Sequence, residues 1–433
     1  MRRDAWVGMR IAPLLFAMRS SNGLVSFVGL AFLCACYAQH ARVDVAMSDA
    51  SVHDAATDAC ALPDGNELDP TSVVQLPVLV TQRLERADVA FLIDTTSSMG
   101  AEIDRIQRTL SDVIAPGIRN AVPDVQFAVA TFEDYPTSPY GGPGDLPLTV
   151  VQTMTPDLDV VQRALDGVEL GFGGDYPEAQ TQALYEVASG DFDASVLEPP
   201  VCPAGTFGGV CFRDSSAALV FLFTDAPFHN GRGGTNPYEG GGGEGTYAEM
   251  IRSVREHGVH VVSFWSGPEF GTPQDQDDAR FVAYESGSVT SDMQTMIYSI
   301  GENGEDLDAR VIEAIQTFAD RVGLDVTATA IDPDPSDGFD PRSIVESIEP
   351  LRAIPSDGVA GISRETNTFR RVVSGTQVVF ALTLNPDVRI RRDVEQRYQL
   401  DVVYRADGRI DLSTQHLTVV IPARSTCAPA HLE

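Results

Sequence analysis

The stretch VAFLIDTTSSMG, residues 89–100, decides the fold, because an apolar strand runs directly into a cluster of oxygen-bearing side chains. Its first five residues are apolar and predict a buried strand. Asp94, Thr96 and Ser98 follow at spacings of two, so one loop can turn three side-chain oxygens towards one point. Ligands of open α/β sheets bind at the edge formed by the carboxyl ends of the strands. The stretch therefore predicts the first strand of such a sheet, ending in a binding site.

Similar segments follow along the chain. Short apolar runs at 125–132, 218–224 and 259–265 are typical of buried strands. Apolar residues at helical spacing predict helices at 103–118 and 307–322. The apolar face of the first helix would consist of Ile103, Ile106, Leu110, Val113, Ile114 and Ile118. Strand and helix alternation of this length predicts an α/β fold with a doubly wound, mostly parallel sheet and helices on both faces.

The C-terminal part has a different pattern. Residues 323–332, 376–384, 398–406 and 416–422 alternate apolar and polar side chains between Pro, Gly and Asp, which predicts a small antiparallel β-sandwich. The stretch 71–84 predicts one or two further strands before the α/β segment begins. If these strands belong to the same sandwich, the α/β domain is an insertion within it.

Composition excludes several classes of function. The chain has 62 acidic and 30 basic residues and a formal net charge of −32, and all of its Lys-or-Arg residues are arginine. Schiff-base chemistry, a phosphate-loop lysine and a Ser-Lys dyad are therefore excluded. Without a basic stripe the sequence does not favour nucleic-acid binding. An acidic surface does attract divalent cations.

The N-terminal sequence is typical of a targeting segment. The apolar run at 23–36 is too short for a stable membrane span, and the chain could start at Met1 or at Met18. The run ends in Leu-Cys-Ala-Cys, which resembles a bacterial lipobox with Cys36 as the lipidated residue. The alternative is an ordinary cleaved signal peptide and simple secretion. Either interpretation predicts export to the cell envelope, and a lipid would hold the chain to the outer membrane or cell surface without crossing it.

Six cysteines are present. If Cys34 is removed and Cys36 is lipidated, four remain and three pairings are possible. We favour Cys202–Cys211, which closes a short Gly-rich loop, together with Cys60–Cys427, which would join the two ends of the folded region. Neither spacing is typical of a zinc site.

These patterns predict four parts of the chain. They are a lipoprotein-type signal peptide at 1–36, an acidic disordered tether at 37–70, a β-sandwich made of 71–86 and 323–425, and the α/β domain at 87–322.

Two further segments bring acidic residues to the edge where Asp94 lies. Asp225 follows the predicted strand 218–224, and Asp175 and Glu178 lie in a loop that leads into a helix. Alone, Asp94 could be a helix cap and Asp225 a turn former. Three loops that each place a carboxylate at one edge predict a site for a hard cation. Hydroxyl and carboxylate ligands favour Mg²⁺, Mn²⁺ or Ca²⁺ over Zn²⁺.

At this point the motifs resemble a known family. The Asp94-x-Thr96-x-Ser98 spacing resembles the metal-ion-dependent adhesion site of von Willebrand factor A domains. FAVATFEDYPTSPY at 127–140, GDYPEA and FTDAPFH resemble the I-like domain of integrin β subunits, and SGTQVVFALTL at 374–384 resembles the hybrid domain that contains it. The resemblance covers most of residues 71–425.

The resemblance implies a set of metal ligands. The central Mg²⁺ or Mn²⁺ would be held by Asp94, Thr96, Ser98 and Glu178, with Asp225 acting through water or from outside the ligand shell. Asp134, Asp175, the Pro177 carbonyl and Glu178 match most of a second, neighbouring metal site of the family, and such a secondary site could take Ca²⁺. In the second site, Gly173 occupies the position where the family has an asparagine. At a third site, where the family has paired acids, this chain has Ala101 and Glu102. Tight calcium binding is therefore not predicted at that third site.

Incomplete coordination would define the function. A metal with few carboxylate ligands keeps a water-occupied position that the Asp or Glu of a partner protein can fill. We therefore expect a surface-anchored, metal-dependent adhesion or protein-binding module and not an enzyme. The alternative is a metal-rigidified structural component of an envelope assembly. A Mg²⁺-dependent phosphohydrolase of the haloacid dehalogenase type is disfavoured, because Thr96 stands where its second Asp belongs and the chain has no lysine.

Other motifs are weaker. GGGGEG at 240–245 formally matches G-x-G-x-x-G but does not directly follow a strand, so it predicts a loop. His257 and His260 are interpreted as structural residues. His229 lies close enough to Asp225 along the chain to line the rim of the site.

Overall fold

The computed structural model describes residues 73–80, 84–192, 197–234, 237–238, 245–267, 276–384, 393–421 and 431–432. These residues all fall in one compact unit, Ala59–Glu433, and none falls in the other unit, Met1–Asp58. The predicted signal peptide, tether, Cys36 lipidation site and Cys60–Cys427 disulfide lie outside the described residues. Within the described residues, no helix is both long and apolar enough to cross a membrane.

The strands account for much of the described chain. In order they are β1 (Val73–Val80), β2 (Arg86–Asp94), β3 (Asp124–Phe132), β4 (Thr149–Thr155), β5 (Thr206–Phe207), β6 (Phe212–Arg213), β7 (Ala217–Thr224), β8 (Val259–Trp265), β9 (Ile297–Ser299), β10 (Leu324–Ile331), β11 (Val345–Ile354), β12 (Gly361–Ser363), β13 (Thr368–Val372), β14 (Thr376–Leu384), β15 (Gln396–Ala406), β16 (Ile410–Ile421) and β17 (His431–Leu432).

The helices alternate with the strands of the first half. They are α1 (Gly100–Thr109), α2 (Ala115–Ala121), α3 (Leu158–Asp166), α4 (Gln180–Ser189), α5 (Tyr247–Glu256), α6 (Asp277–Glu285) and α7 (Leu307–Arg321). A π-helical segment, Leu110–Ile114, joins α1 to α2, and short 3₁₀ helices occur at Ser97–Met99, Pro335–Asp337, Pro341–Ile344 and Ser356–Gly358.

A six-stranded sheet forms the core of the α/β part, in the order β4-β3-β2-β7-β8-β9. All neighbours are parallel except the edge strand β4, which runs antiparallel to β3. Every residue of β2 after Arg86 is buried, because helices cover both faces of the sheet. The edge strand β4 lacks a long apolar run, and the sequence pattern did not predict it.

Two apolar clusters lie on opposite faces of this sheet. Val89 and Phe91 of β2 pack with α1, α2, α3 and α7, whereas Ala90 and Leu92 of the same strand pack with α4, α5 and α6. Successive side chains of a strand point to opposite faces, so each strand contributes to both clusters. The predicted fold class, a doubly wound and mostly parallel α/β sheet, is confirmed.

The predicted helix at 103–118 differs from the structure in one respect. Val113 was assigned to its buried face but is 40% exposed, while Ile114 is fully buried. The π-helical segment at Leu110–Ile114 adds about one residue to the turn and rotates Val113 away from the core. The other five predicted positions are buried.

Two antiparallel sheets form the sandwich. One has the order β1-β14-β11, and the other has the order β12-β13-β10-β15-β16-β17. Leu76, Phe369, Phe380 and Tyr404 pack between them. Strand β1 precedes the α/β part and pairs with β14, which follows it. The α/β part is therefore inserted in the sandwich, as predicted, and the described residues of the segment 71–84 form one strand.

Polar and aromatic contacts link the sandwich to the α/β part. His260 Nε2 lies 2.8 Å from Asp407 Oδ2, which gives this histidine the structural role that was expected. The Arg409 guanidinium lies over the Phe207 ring, 3.7 Å from its centre. A Cβ at Gly258, where φ is +57°, would lie 3.1 Å from the Asp407 carbonyl oxygen, so this close approach favours glycine.

The Cys202–Cys211 disulfide is present. It closes a loop that carries β5, and β6 begins directly after Cys211, where Phe212 pairs with Phe207 of β5. Val210 and Phe212 anchor the loop in the apolar cluster of the α4 and α5 face. Disulfides persist in oxidising compartments, which agrees with the expected export.

Because of the π-helical segment, we expect substitutions of the neighbouring residues Ile114 and Val113 to have different effects on the free energy of unfolding. Ile114→Ala should lower the free energy of unfolding by about 2–5 kcal/mol, because it leaves a cavity in a packed core. Val113→Ala should change it by no more than about 0.5 kcal/mol, because Val113 is partly exposed. Urea denaturation of both variants measures this. Equal losses would show that a regular helix buries both side chains.

Candidate metal centre

The sheet itself brings Asp94 and Asp225 together. Strands β2 and β7 are parallel neighbours in register, with Ile93 opposite Phe223. Both strands end at the same edge, so Asp94 closes β2 beside the residues that follow β7. Thr224 Oγ1 donates a hydrogen bond to Asp94 Oδ2 at 2.8 Å, which ties the two strand ends together.

The loop after β2 arranges a connected chain of oxygens. The backbone N–H and the hydroxyl of Thr96 both donate to Asp94 Oδ1, at 3.0 and 2.7 Å. Thr96 Oγ1 lies 3.3 Å from Ser98 Oγ. Ser98 Oγ then donates to Asp225 Oδ1 at 3.1 Å. Four of the predicted ligands thus form one cluster across the ends of two strands.

Glu178 reaches this cluster from the loop before α4. Its backbone N–H donates to the Pro227 carbonyl at 3.0 Å, and its carbonyl accepts from His229 N at 2.8 Å, so the loop after β7 holds it. A Cβ at Gly173, where φ is +64°, would lie 3.1 Å from Glu178 Oε1 and 3.3 Å from Thr96 Cγ2. A side chain at Gly173 would therefore crowd both the Glu178 carboxylate and Thr96.

Burial and like charge dominate the electrostatics of the cluster. Burial, with the charge of Asp225 as the next cause, raises the pKa of Asp94 to about 7. Burial, followed by the charges of Asp94 and Asp134, raises the pKa of Glu178 to about 10. Burial also raises the pKa of Asp225. A group of carboxylates that resist ionisation in this way favours a bound cation.

The residues present fit a divalent metal. Glu178 is 3% exposed, and its Oε2 has no hydrogen-bond partner among the described residues. An uncompensated buried carboxylate oxygen is costly, and a cation between the acids would compensate it. Hydroxyl and carboxylate donors are those of hard cations such as Mg²⁺ or Mn²⁺. Thr96, Ser98, Glu178 and the two aspartates are the residues that would hold the ion.

The cluster opens to solvent on one side. Ser98 is exposed, and a pocket of about 280 Å³ extends from it between Gly173, Tyr176 and Asp225. Large apolar side chains stand at the rim, with Phe172 73% and Tyr176 50% exposed. A molecule that reached the metal position would therefore contact aromatic surface as well.

Asp145 organises this rim, and the sequence patterns did not identify it. The side chain is 2% exposed and accepts three backbone hydrogen bonds. Its Oδ2 accepts from Gly142 N at 2.7 Å and Gly173 N at 3.0 Å, and its Oδ1 accepts from Phe172 N at 3.1 Å. The loop that carries Phe172 is thus held on a buried carboxylate. Asp145 follows a Gly-rich turn, and this position in the sequence did not predict its role.

Two polar residues beside the cluster were also missed. Gln180 Nε2 donates to Thr224 Oγ1 at 3.0 Å and to the Ala226 carbonyl at 3.1 Å. It therefore fixes the hydroxyl that bonds Asp94. The Thr-Asp pair at the end of β7 was a visible signal for Thr224, whereas Gln180 lies within a helical pattern and gave none.

The predicted second site has a different composition from the one that was expected. Asp134 and Asp175 lie close together, but His229 lies between them, with its Nε2 3.0 Å from Asp175 Oδ1 and 3.2 Å from Asp134 Oδ2. Pro177 directly precedes Glu178 in the same loop. A site made of oxygens alone therefore does not describe this group.

Glu102 lies near the main cluster. It is 1% exposed, and its Oε2 has no hydrogen-bond partner among the described residues. Burial raises its pKa to about 7, and the charge of Asp225 adds to this effect. Only one acid occupies this position, since its neighbour is Ala101, so a third metal site would lack a carboxylate.

Comparisons with known proteins give loose similarities. No family profile and no curated protein matches the sequence. Similar solved structures include proximal thread matrix protein 1 from the mussel byssus, with 16% identity over 57% of this chain and 48% of that one, at a TM-score of 0.32. The VWA domain of SpRpn10 has 11% identity over 52% of this chain and 94% of that one, at a TM-score of 0.30. The open conformation of the pilus adhesin SpaC from Lactobacillus rhamnosus GG has 11% identity over 84% of this chain and 46% of that one, at a TM-score of 0.32.

The chain spans about half the length of the byssus protein and of the adhesin. At these TM-scores the likeness supports no inference about function.

Metal-free protein should have a characteristic pH dependence. The folded state holds the Asp94 proton more tightly than the unfolded chain, so this contribution to stability is complete below the ordinary pKa of 3.8. It is lost as the pH rises to about 7. In EDTA, wild type should therefore lose stability relative to Asp94→Asn across this interval, by up to about 4 kcal/mol. Denaturant titrations at several pH values measure the difference.

Mg²⁺ should remove this relative loss, because a cation favours the ionised carboxylate. Parallel pH profiles for wild type and Asp94→Asn in EDTA would contradict the assignment of a strained, buried carboxylate.

Proposed function

We propose that this protein is a surface-anchored, divalent-metal-dependent module that binds a partner protein through an acidic residue of that partner. In this proposal the α/β part is a von Willebrand factor A-type domain of the integrin β I-like kind, and the metal is Mg²⁺ or Mn²⁺. The supporting observation is the convergence of Asp94, Thr96, Ser98, Asp225 and Glu178 at one sheet edge, with a buried, uncompensated carboxylate oxygen on Glu178.

Exposure of the cluster supports ligand capture over a purely structural metal. Ser98 is exposed and faces the pocket, while Asp94 and Thr96 beneath it are buried. A metal held from below would therefore keep coordination positions on the open side. A carboxylate of a partner carries the charge and the oxygen donors that such positions favour. The alternative, a metal that only rigidifies an envelope component, requires no open side.

The rim supports a protein ligand over a small one. Phe172 and Tyr176 are half exposed or more, and Leu170 of the same loop is 48% exposed. Aromatic side chains on a fixed loop are typical of the centres of protein interfaces. Because Asp145 fixes the backbone of this loop at Phe172 and Gly173, that backbone does not have to be ordered on binding.

Anchoring at the cell surface is part of the proposal. It is supported by the Leu-Cys-Ala-Cys segment that ends at Cys36 and by the Cys202–Cys211 disulfide. The proposed partner is a protein that presents Asp or Glu. The proposal requires contact with a membrane only through the lipid, and the acidic surface does not favour nucleic acid.

Thermal unfolding of the purified chain tests the metal. Adding Mg²⁺ or Mn²⁺ after EDTA should raise the unfolding midpoint, because the ion binds the folded state; at about 100 times its Kd the gain is about 2.7 kcal/mol. Ser98→Ala should reduce this gain, because it removes a proposed ligand. Ser97→Ala is the matched control, since Ser97 is the adjacent exposed hydroxyl.

Equal midpoint shifts in Ser98→Ala and Ser97→Ala would remove Ser98 from the ligand set. No shift with any divalent cation would mean that the cluster is only a capped turn.

Selection of displayed random peptides on the immobilised chain tests the ligand. In Mg²⁺ we expect enrichment of peptides with Asp or Glu at one position and an apolar residue beside it, and we expect EDTA to release them. The same peptides should not bind Asp94→Ala. Enrichment of peptides without an acidic residue, or equal binding to Asp94→Ala, would contradict metal-mediated capture.

If Mg²⁺ raises the unfolding midpoint but selection in Mg²⁺ enriches no acidic peptide, the structural role of the metal would be the better interpretation.

A further inference from the structure

A second group of metal-binding side chains lies beside the proposed centre. Asp134 follows β3, Asp175 lies in the loop before α4, and His229 follows β7. One ligand atom from each lies within 4.8 Å of the other two. The shortest separations are 3.0 Å from His229 Nε2 to Asp175 Oδ1 and 3.2 Å to Asp134 Oδ2. Atoms at such separations are close enough to share one ion with bonds of about 2 Å.

One carboxylate oxygen of Asp134 faces His229, and hydrogen bonds to the other oxygen hold the side chain in place. Its Oδ1 accepts hydrogen bonds from Tyr135 N and from the Tyr238 hydroxyl, both at 2.6 Å. Its Oδ2 makes no hydrogen bond among the described residues, although it lies 3.2 Å from His229 Nε2. Asp134 is fully buried, so this oxygen is a costly buried acceptor that is directed at the group.

The imidazole is also held in place. The ring of His229 packs edge-on against Tyr140 and Tyr238, with centres 5.5 and 5.4 Å away. The side chain is 9% exposed. Oriented donors supported by neighbouring hydrogen bonds and packing are typical of built metal sites.

The donor set does not fit the calcium site that the resemblance implied. Ca²⁺ takes six to eight oxygen ligands, whereas this group offers an imidazole nitrogen, and Gly173 supplies no side-chain oxygen where an asparagine was expected. Imidazole with carboxylates is a ligand set of Zn²⁺ and related transition metals.

We propose that Asp134, Asp175 and His229 form a separate site for a transition-metal dication of the Zn²⁺ class. This site lies at the position of the second metal site that the family resemblance implied, for which Ca²⁺ was the expected ion. The proposal does not depend on the proposed function, because it requires neither the first metal nor a protein ligand.

Zn²⁺ titration of the purified chain in excess Mg²⁺ tests it. We expect one Zn²⁺ to bind per chain and not to be displaced by excess Ca²⁺. His229→Ala should weaken Zn²⁺ binding by at least about tenfold, because it removes the nitrogen ligand. Co²⁺ gives a second readout, since the visible absorption band of a nitrogen-ligated ion should be lost in the same variant.

Two variants serve as controls. His416→Ala removes an exposed histidine that also pairs with an aspartate, Asp401 at 2.7 Å, and should leave Zn²⁺ binding unchanged. Asp94→Ala should lose the Mg²⁺ response but keep Zn²⁺ binding, which separates this site from the first. If His229→Ala does not fold, Asp175→Asn replaces it, because the Asp175 side chain is 33% exposed.

Three outcomes would overturn the proposal. They are Zn²⁺ binding that is unchanged in His229→Ala, displacement of Zn²⁺ by Ca²⁺, and no Zn²⁺ binding by wild type. In the last case, the contact between His229 and the two aspartates is an internal ion pair or hydrogen bond.

Discussion

Carboxylates of like charge are buried together at one edge of the central sheet, and this is the constraint on which the rest of the site depends. Burial and repulsion raise the pKa values of Asp94 and Glu178, so without a cation these groups retain protons that water would remove. Hydrogen bonds from Thr96 and Thr224 fix Asp94 but add no positive charge. Charge balance therefore requires either protons or a metal, and the proposed function assigns a metal to this role.

The donors of the cluster also differ in charge and in exposure to solvent. Its most exposed donor, Ser98, is neutral, whereas Asp94 and Glu178 are buried acids and Asp225 is a partly buried acid that bonds Ser98. A metal held in this way would have a neutral hydroxyl ligand on its open side, where a further oxygen donor could approach. The neighbouring group instead contains His229, whose nitrogen changes the class of ion that the aspartates favour. Two adjacent sites built on one sheet edge can thus differ in metal preference.

The sequence predicted what depends on local pattern. Strands β2, β7 and β8 are continuous apolar runs because both of their faces are buried, and polar residues directly after β2 and β7 marked the site edge. The exposure of Val113 depends on the π-helical segment Leu110–Ile114, and the role of Asp145 depends on contacts with a distant loop. Hydrophobic periodicity predicts neither. His229 was expected at the rim from its closeness to Asp225, but its contact with Asp134 required the placement of β3 beside β2.

The placement of the sandwich contacts explains how the site edge stays accessible. His260 is the second residue of β8, and its Asp407 contact lies near the amino end of that strand. The chain also enters β2 from the sandwich at Arg86, at the amino end. Parallel strands place their amino and carboxyl ends on opposite edges of the sheet. Attachment to the sandwich at one edge therefore keeps the opposite edge, with Asp94 and Asp225, away from these sandwich contacts.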